Sequence, residues 1–344
     1  MSSYHNTLFV TTPGAYLAKD HENVAVRVEH ETRMSVPLHH LSGVVCFGPV
    51  SASPELMAAC AERGIGLSFL DINGRFLARV EGPVSGNVLL RRLQYRLADD
   101  SSAAARLARR FVIGKVANSR TLLIRSAREQ RDDAKTATLQ QIASRLSDRL
   151  TDLARGEPPL DAVRGYEGEA AASYFGCFGA MIRSDDLAFA FSTRTRRPPR
   201  DETNTLLSFL YALLSHDCGS ALAAVGLDPA VGYLHVDRPG RPSLALDLME
   251  ELRPVFADRL VLALINRGQV ASKGFRREAS GGVMMDDETR KTVLVAYQQR
   301  KQDALTHPVT NEATTFALVP HIQARLLART IRGDLEHYPP FILR

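Results

Sequence analysis

Apolar and polar positions along this chain change their period once. Up to about residue 83 the apolar residues come in short runs, "NTLFVTT", "NVAVRVEH", "SVPLHHLSGVVCFG" and "IGLSFLDINGRFLARVEG", punctuated by turn-forming residues such as "DING". Such runs predict a small antiparallel β domain. One stretch departs from this pattern. "SPELMAACAERG", residues 53–64, has a Ser cap, a Pro at the first helical position and a closing Gly, and predicts a short helix between strands. After "EGPVSGN", residues 81–87, the texture becomes long helical periods rich in Leu, Ala and Arg. These predict helices over residues 87–99, 102–133, 135–155, 161–183, 202–225, 243–266, 286–303 and 314–331. "STRTRRPPRDE" and "SKGFRREASGG" read as loops. The expected class is α+β, with a small N-terminal β domain, sandwich-like, over residues 1–83 and a larger all-α domain over residues 84–344.

Composition adds a mild constraint. The chain of 344 residues carries 43 Lys and Arg against 38 Asp and Glu, a net charge of +5 that is compatible with a polyanionic partner. Its four cysteines, Cys46, Cys60, Cys177 and Cys218, are widely spaced with no CxxC pair, so they read as buried thiols in a reducing compartment. No run of about 18 apolar residues and no leader-like N-terminus stands out, so a soluble protein of the cytoplasm is expected, with no membrane association. GxxxxGK[ST], GxGxxG after a strand, GxSxG and HExxH are all missing, which argues against ATP use, a serine nucleophile and a zinc hydrolase.

Acidic residues supply the candidate chemistry. In "GRPSLALDLMEELRP", Asp247 stands three residues before Glu250 and four before Glu251, so on a helix these side chains are neighbours. Leu244, Leu248, Leu252, Val255 and Phe256 take the opposite arc, and a solvated acidic face explains the stretch equally well. Glu167 and Glu169 lie upstream among small and aromatic residues in "DAVRGYEGEAAASYF", and His235 precedes the acids in "GYLHVDRP". Glu, His and an acid pair drawn from three segments would make a mixed N/O site suited to Mn²⁺ or Mg²⁺, the equipment of phosphodiester chemistry. Basic residues cluster as well. Arg194, Arg196, Arg197 and Arg200 share one short segment, and Lys273, Arg276 and Arg277 flank Phe275 in another, both suited to phosphate contact. Arg106, Arg109, Arg110 and Lys115, and Arg290, Lys291, Arg300 and Lys301, recur at helical spacing and read as well as ordinary solvated surface.

"RGYEGEAAASYF", "RRPPRDETNTLLSFLYALL", "GYLHVDRPGRPSLALDLMEELRP", "ADRLVLALINRGQV" and "QARLLARTIRGDLEHYPPF" resemble, in this order, segments of the CRISPR-associated spacer-acquisition integrases, the family of the first Cas protein. The likeness extends from "NTLFVTT" to the C-terminal tail, and "NVLLRRLQYRLADD" and "CFG" are most similar to its type I-C branch. The resemblance implies a metal-dependent DNA endonuclease and integrase that joins 3′-hydroxyl ends of foreign fragments to a CRISPR repeat by transesterification. It implies Glu167, His235 and Glu250 as ligands of Mg²⁺ or Mn²⁺, with Asp247 a further catalytic acid close by and Glu251 an ordinary surface charge. It also implies a homodimer formed through the β domain, double-stranded DNA as substrate, the small second Cas protein as partner and, in the type I-C context, the fourth. The tail "EHYPPFILR" would then be a docking segment or a frayed end. Two other readings stand beside this one: a metal-dependent nuclease of branched DNA or repair intermediates, and a non-enzymatic basic DNA-binding scaffold.

Overall fold

In the computed structural model, which describes residues 6–72, 74, 76–82 and 88–343, the chain divides into two units. One holds residues 1–86 together with Leu294–Gln302, and the other holds residues 87–293 and 303–344. The expected boundary after residue 83, and the expected helix start at Asn87, lie outside the described residues.

The first unit is built on two four-stranded sheets. Strands β1 (Asn6–Val10), β5 (Leu41–Phe47), β7 (Gly66–Leu70) and β8 (Phe76–Val80) form one, in the order β1-β5-β7-β8. Strands β2 (Tyr16–Asp20), β3 (Asn23–Val28), β4 (Glu31–Pro37) and β6 (Ser51–Ala52) form the other, in the order β4-β3-β2-β6. The expected antiparallel pattern holds for the β2-β3-β4 meander and for β7-β8, but β1-β5, β5-β7 and β2-β6 are parallel. Parallel neighbours need a crossover, and helix α1 (Pro54–Glu62) supplies the one between β5 and β7. Ser53 caps α1 by accepting from the Leu56 amide at 3.2 Å. Val10, Val44, Cys46 and Leu67 from one sheet, Leu17, Val24 and Val26 from the other, and Leu56 and Cys60 from α1 share one apolar core.

The second unit is mostly helical: α2 (Val88–Asp99), α3 (Ser101–Glu129), α4 (Asp133–Ala154), α5 (Leu160–Gly176), α6 (Glu202–Ala224), α7 (Ser243–Glu250), α8 (Arg259–Asn266), α9 (Asp287–Gln302) and α10 (Val319–Arg332). It is not all-α. Phe275–Arg277 pairs with Val283–Met285, and Ala304–Thr306 with Ala313–Thr315, as two short antiparallel ribbons. The second ribbon uses residues that the periodicity assigned to the start of the last helix. The last turns of α9 belong to the first unit, where Gln298 donates to the Thr7 carbonyl at 2.9 Å and Lys301 to the Thr7 hydroxyl at 3.0 Å.

The single helix expected over residues 243–266 is broken into α7, a π-helical stretch at Arg253–Asp258 and α8. Pro254 has no amide to give to the α-helical ladder, and the wider turn absorbs the loss. Among the described residues one helix, α6, is long and apolar enough to span a membrane, but 56% of that stretch is buried inside this chain as core. All four cysteines are free and buried. Among the described residues of the tail, Tyr338 and Phe341 are buried against this chain and so anchor it there, while Glu336 and His337 are exposed.

Candidate active site

Three segments of the second unit bring the expected site residues together. Glu167 projects from α5, His235 ends the turn 232–235, and Asp247 and Glu250 come from α7. Asp247 organises the turn. Its Oδ2 accepts from the amides of Tyr233 at 2.6 Å and Leu234 at 3.0 Å, and its Oδ1 from the His235 amide at 3.0 Å. The same Oδ1 lies 2.6 Å from His235 Nδ1. A carboxylate can only accept here, so Nδ1 carries the proton and, in the neutral ring, Nε2 keeps its lone pair. That nitrogen faces Glu250, 3.8 Å from Oε1.

Glu250 is buried among cations. Arg253 Nη1 lies 2.7 Å from its Oε1 and Lys115 Nζ 2.7 Å from its Oε2. Burial alone would raise the carboxyl, but Arg253, Lys115 and His235 outweigh it and hold Glu250 down to about 2. Lys115, from α3, also pairs with Glu167 Oε1, so one ammonium bridges the two carboxylates. Lys115 is thus no part of a solvated basic face, as its helical spacing with Arg106 and Arg109 allowed; its neighbours in "FVIGKVAN" are apolar, which is the signal that it points inward. Arg253 was legible as well, three residues beyond Glu250 on the same side of a helix.

The elements around the turn fix it in place. Gly232 has no room for a side chain, since a Cβ would sit 2.8 Å from Ser243 and 2.9 Å from Asp247 Oδ2. Gln94 of α2, fully buried, donates to the carbonyls of Asp228 at 2.8 Å and Val231 at 3.0 Å, and accepts from the Asp228 amide at 2.9 Å. Arg164 of α5 donates to the Leu234 carbonyl at 2.9 Å. Behind Arg253, Tyr211 lies beneath its guanidinium, 4.8 Å from the ring centroid, and donates to Asp258 at 2.6 Å. Tyr174 donates to the other Asp258 oxygen at 2.8 Å. Burial pushes the Asp258 carboxyl up to about 6 against the pull of these two hydroxyls and of Arg253 and Arg194.

Glu251 is no surface charge. It is fully buried, its Oε1 accepting from the Tyr338 hydroxyl at 2.5 Å and Gln323 at 2.9 Å, and its Oε2 from the Phe341 amide at 2.8 Å. Burial, with no cation beside it, pushes this carboxyl up to about 7. Where the helix gives way to the π stretch, adjacent acids turn to opposite sides: Glu250 to Lys115 and Arg253, Glu251 to the C-terminal tail.

The sequence matches the family described as CRISPR associated protein Cas1 over residues 8–299. It is 50% identical over 347 residues to CRISPR-associated endonuclease Cas1 1 of Chlorobaculum tepidum, covering 100% of both chains. It is 51% identical over 344 residues to CRISPR-associated endonuclease Cas1 2 of Rhodospirillum rubrum, covering 99% of both. The chain belongs to the Cas1 family. It is therefore a Cas1-type enzyme, and its fold is shared with a casposase bound to integration product, at a TM-score of 0.82 and 22% identity over 98% of this chain and 94% of that one.

Can this Cas1 site hold a divalent ion? Among the described residues no group of three or more His, Cys, Asp and Glu side chains is closed around one point as it stands. The Lys115 ammonium occupies the position where the two carboxylates meet. The donor set nevertheless fits. Two carboxylates and an imidazole Nε2, oriented through Nδ1 by a carboxylate, are the groups Mn²⁺ and Mg²⁺ take. Buried Oε2 of Glu250 lies at ion-pair distance from Lys115 without an aligned hydrogen bond, so it retains acceptor capacity.

The two basic segments meet on one surface. The Val283 amide donates to the Pro199 carbonyl at 2.9 Å and Arg277 to the Arg200 carbonyl at 3.1 Å. Arg196, Arg197, Arg200, Lys273, Arg276 and Arg277 are exposed and form no ion pair among the described residues. Arg194 is the exception in its segment: it turns inward, its two terminal nitrogens donating to Asn204 at 2.7 Å and Ser208 at 3.1 Å, and it lies over Tyr211, while its buried Nε has no hydrogen-bond partner. Sequence reading missed Arg238 and Arg241. Burial first, and then Arg238, Arg197 and Arg196, depress the Arg241 guanidinium, so the positive surface runs on toward the His235 turn.

Proposed function

We propose that this Cas1 chain is the integrase of CRISPR adaptation, of the type I-C branch: a DNA endonuclease dependent on Mg²⁺ or Mn²⁺ that joins 3′-hydroxyl ends of foreign DNA to the CRISPR repeat by transesterification. The observation that carries this reading is the convergence of Glu167, His235 and Glu250 from three separate segments. These three would hold the ion, which polarises a phosphoryl oxygen and offsets the charge that develops on it. Asp247 holds the His235 ring in one tautomer, and Arg253, fixed by Tyr211, holds Glu250. Glu167 is the more open carboxylate, 26% exposed against 2% for Glu250, and so marks the side from which DNA enters.

No protein nucleophile takes part. Burial pushes the thiols of Cys46 up to about 12 and of Cys60 and Cys177 up to about 11, far from a reactive thiolate. The attacking group is then the 3′-hydroxyl itself, displacing the leaving oxygen in line, with positioning and electrostatics supplying most of the acceleration. Arg196, Arg197, Arg200, Lys273, Arg276 and Arg277 contact the duplex backbone, while Arg194 supports Tyr211 from within. The working assembly is cytoplasmic: a homodimer formed through the β domain, with the small second Cas protein and the fourth as partners. A strand-joining assay tests the reading, using purified protein, the small partner, Mg²⁺ or Mn²⁺, short duplexes with 3′-hydroxyl ends and a repeat-bearing plasmid. Joined product is expected from the wild type and none from Glu167→Ala or His235→Ala of unchanged fold. Joining retained in either variant overturns the site, and cut but unjoined DNA points to a nuclease.

A further inference from the structure

Lys115 has no place among the ligands, yet its ammonium stands where they converge. It pairs with Oε1 of Glu167 and lies 2.7 Å from Oε2 of Glu250, with only 9% of its side chain exposed. Arg253 cannot substitute for it. That guanidinium is engaged on the other oxygen of Glu250 and lies over Tyr211. The two carboxylates are therefore balanced by two cations, one fixed by stacking and one a compact charge on a flexible four-carbon stem. A divalent ion seated on the same carboxylate oxygens would meet the Lys115 ammonium at bonding range, and like charges at such distance repel strongly in a desolvated site.

We propose that Lys115 is a tethered counter-ion, holding the position of the divalent ion between Glu167 and Glu250 until that ion displaces it. The inference rests on the metal-binding reading of the site. Before loading, the ammonium keeps two mutually repelling acids at the spacing an ion needs. During loading it competes as an intramolecular cation at high effective concentration, and so raises the ion concentration at which the site fills.

The test uses the full-length wild-type protein with Mn²⁺. Free Mn²⁺ is followed by its electron paramagnetic resonance signal, and labelling of Lys115 by an amine-acylating reagent by peptide mass spectrometry. Labelling of Lys115 is expected to be slow without Mn²⁺ and to rise several-fold at saturation, while exposed Lys135 does not change. Lys115→Gln keeps two amide donors for the carboxylates but removes the charge, and is expected to bind Mn²⁺ about ten-fold more tightly. Lys115→Arg keeps the charge and is expected to bind no more tightly than wild type. Mn²⁺ that binds without raising Lys115 labelling overturns the inference, as does a folded Lys115→Gln that binds no more tightly; if Lys115→Gln does not fold, the wild-type labelling decides. A wild type that binds no Mn²⁺, or binds it equally after Glu167→Gln, overturns the metal site itself, a result distinct from the failure of Lys115 alone.

Discussion

Asp247 already makes four hydrogen bonds, three to backbone amides and one to His235. A carboxylate offers about four acceptor positions, so little remains for an ion. Its geometry suits it to orient His235, which refines the catalytic role that the family resemblance implies. Asp247→Asn keeps the shape but sets an amide N–H against backbone donors. Mn²⁺ affinity and strand joining are expected to fall about 10- to 100-fold, measured by Mn²⁺ titration and by the joining assay, with urea unfolding checking that the fold survives. Glu251 gives a pH signature. Its carboxyl is raised in the folded chain from 4.5 to about 7, so between these values the folded state holds the proton more tightly than the unfolded one. Stability then falls as pH rises through that window, by about 3 kcal/mol in total, and the loss is complete above pH 7. Glu251→Gln is expected to flatten that part of the profile in urea titrations at pH 5 and pH 8; a variant that keeps the full slope refutes the assignment.

At the scale of elements, the close approach of α3 to the end of α7 depends on Gly114. A Cβ there would lie 2.8 Å from the Glu251 Cβ and 3.1 Å from Pro340, neither the far end of a flexible side chain. Gly114→Ala is expected to destabilise the protein by about 1 to 3 kcal/mol by overpacking, and to disturb Lys115 on the next residue. Gly165→Ala, on α5 with nothing within 4 Å of the added Cβ, is the control and should be neutral or stabilising by about 0.5 to 1 kcal/mol. Thermal unfolding of the two variants distinguishes packing from a general intolerance of glycine replacement. This geometry also explains which elements were legible. Local signals such as Ser53 before Pro54, or Asp201 accepting from the Asn204 amide at 2.7 Å, lie within one turn of the chain and are readable directly. The break after Glu250, the burial of Glu251 and the docking of the tail depend on partners far along the chain. Asn118 joins the carbonyls of Glu251 and Phe341, 223 residues from the latter, and no period in the sequence records such a pairing.

Across the whole molecule, a net charge of +5 is too small to identify a nucleic-acid surface; its distribution is what matters. The density of Arg in "RTRRPPR" was legible, but its internal division was not, because Arg194 differs from Arg196 only in what lies beside it after folding. That division gives two kinds of variant. Arg196, Arg197, Arg200, Arg276 and Arg277 are exposed, and each that contacts a phosphate releases about one counterion. Replacing any one by Ala is expected to lower the slope of log affinity against log salt by about 1 and to weaken binding evenly across duplex sequences. Thermal stability should not change for Arg196, Arg197, Arg200 and Arg276, while Arg277→Ala also loses the hydrogen bond to the Arg200 carbonyl and with it some stability. Arg194→Ala should do the reverse. It removes the Arg194 donors to Asn204, which keeps the Thr195 amide, and to Ser208, and removes a cation from beneath which Tyr211 reaches Asp258, so stability falls while the salt slope stays that of the wild type. Duplex binding at several salt concentrations, with unfolding measured on the same preparations, separates the two. A reduced slope for Arg194→Ala would overturn its purely internal role, and unchanged slopes for all five exposed arginines would place the DNA on a different face of the second unit.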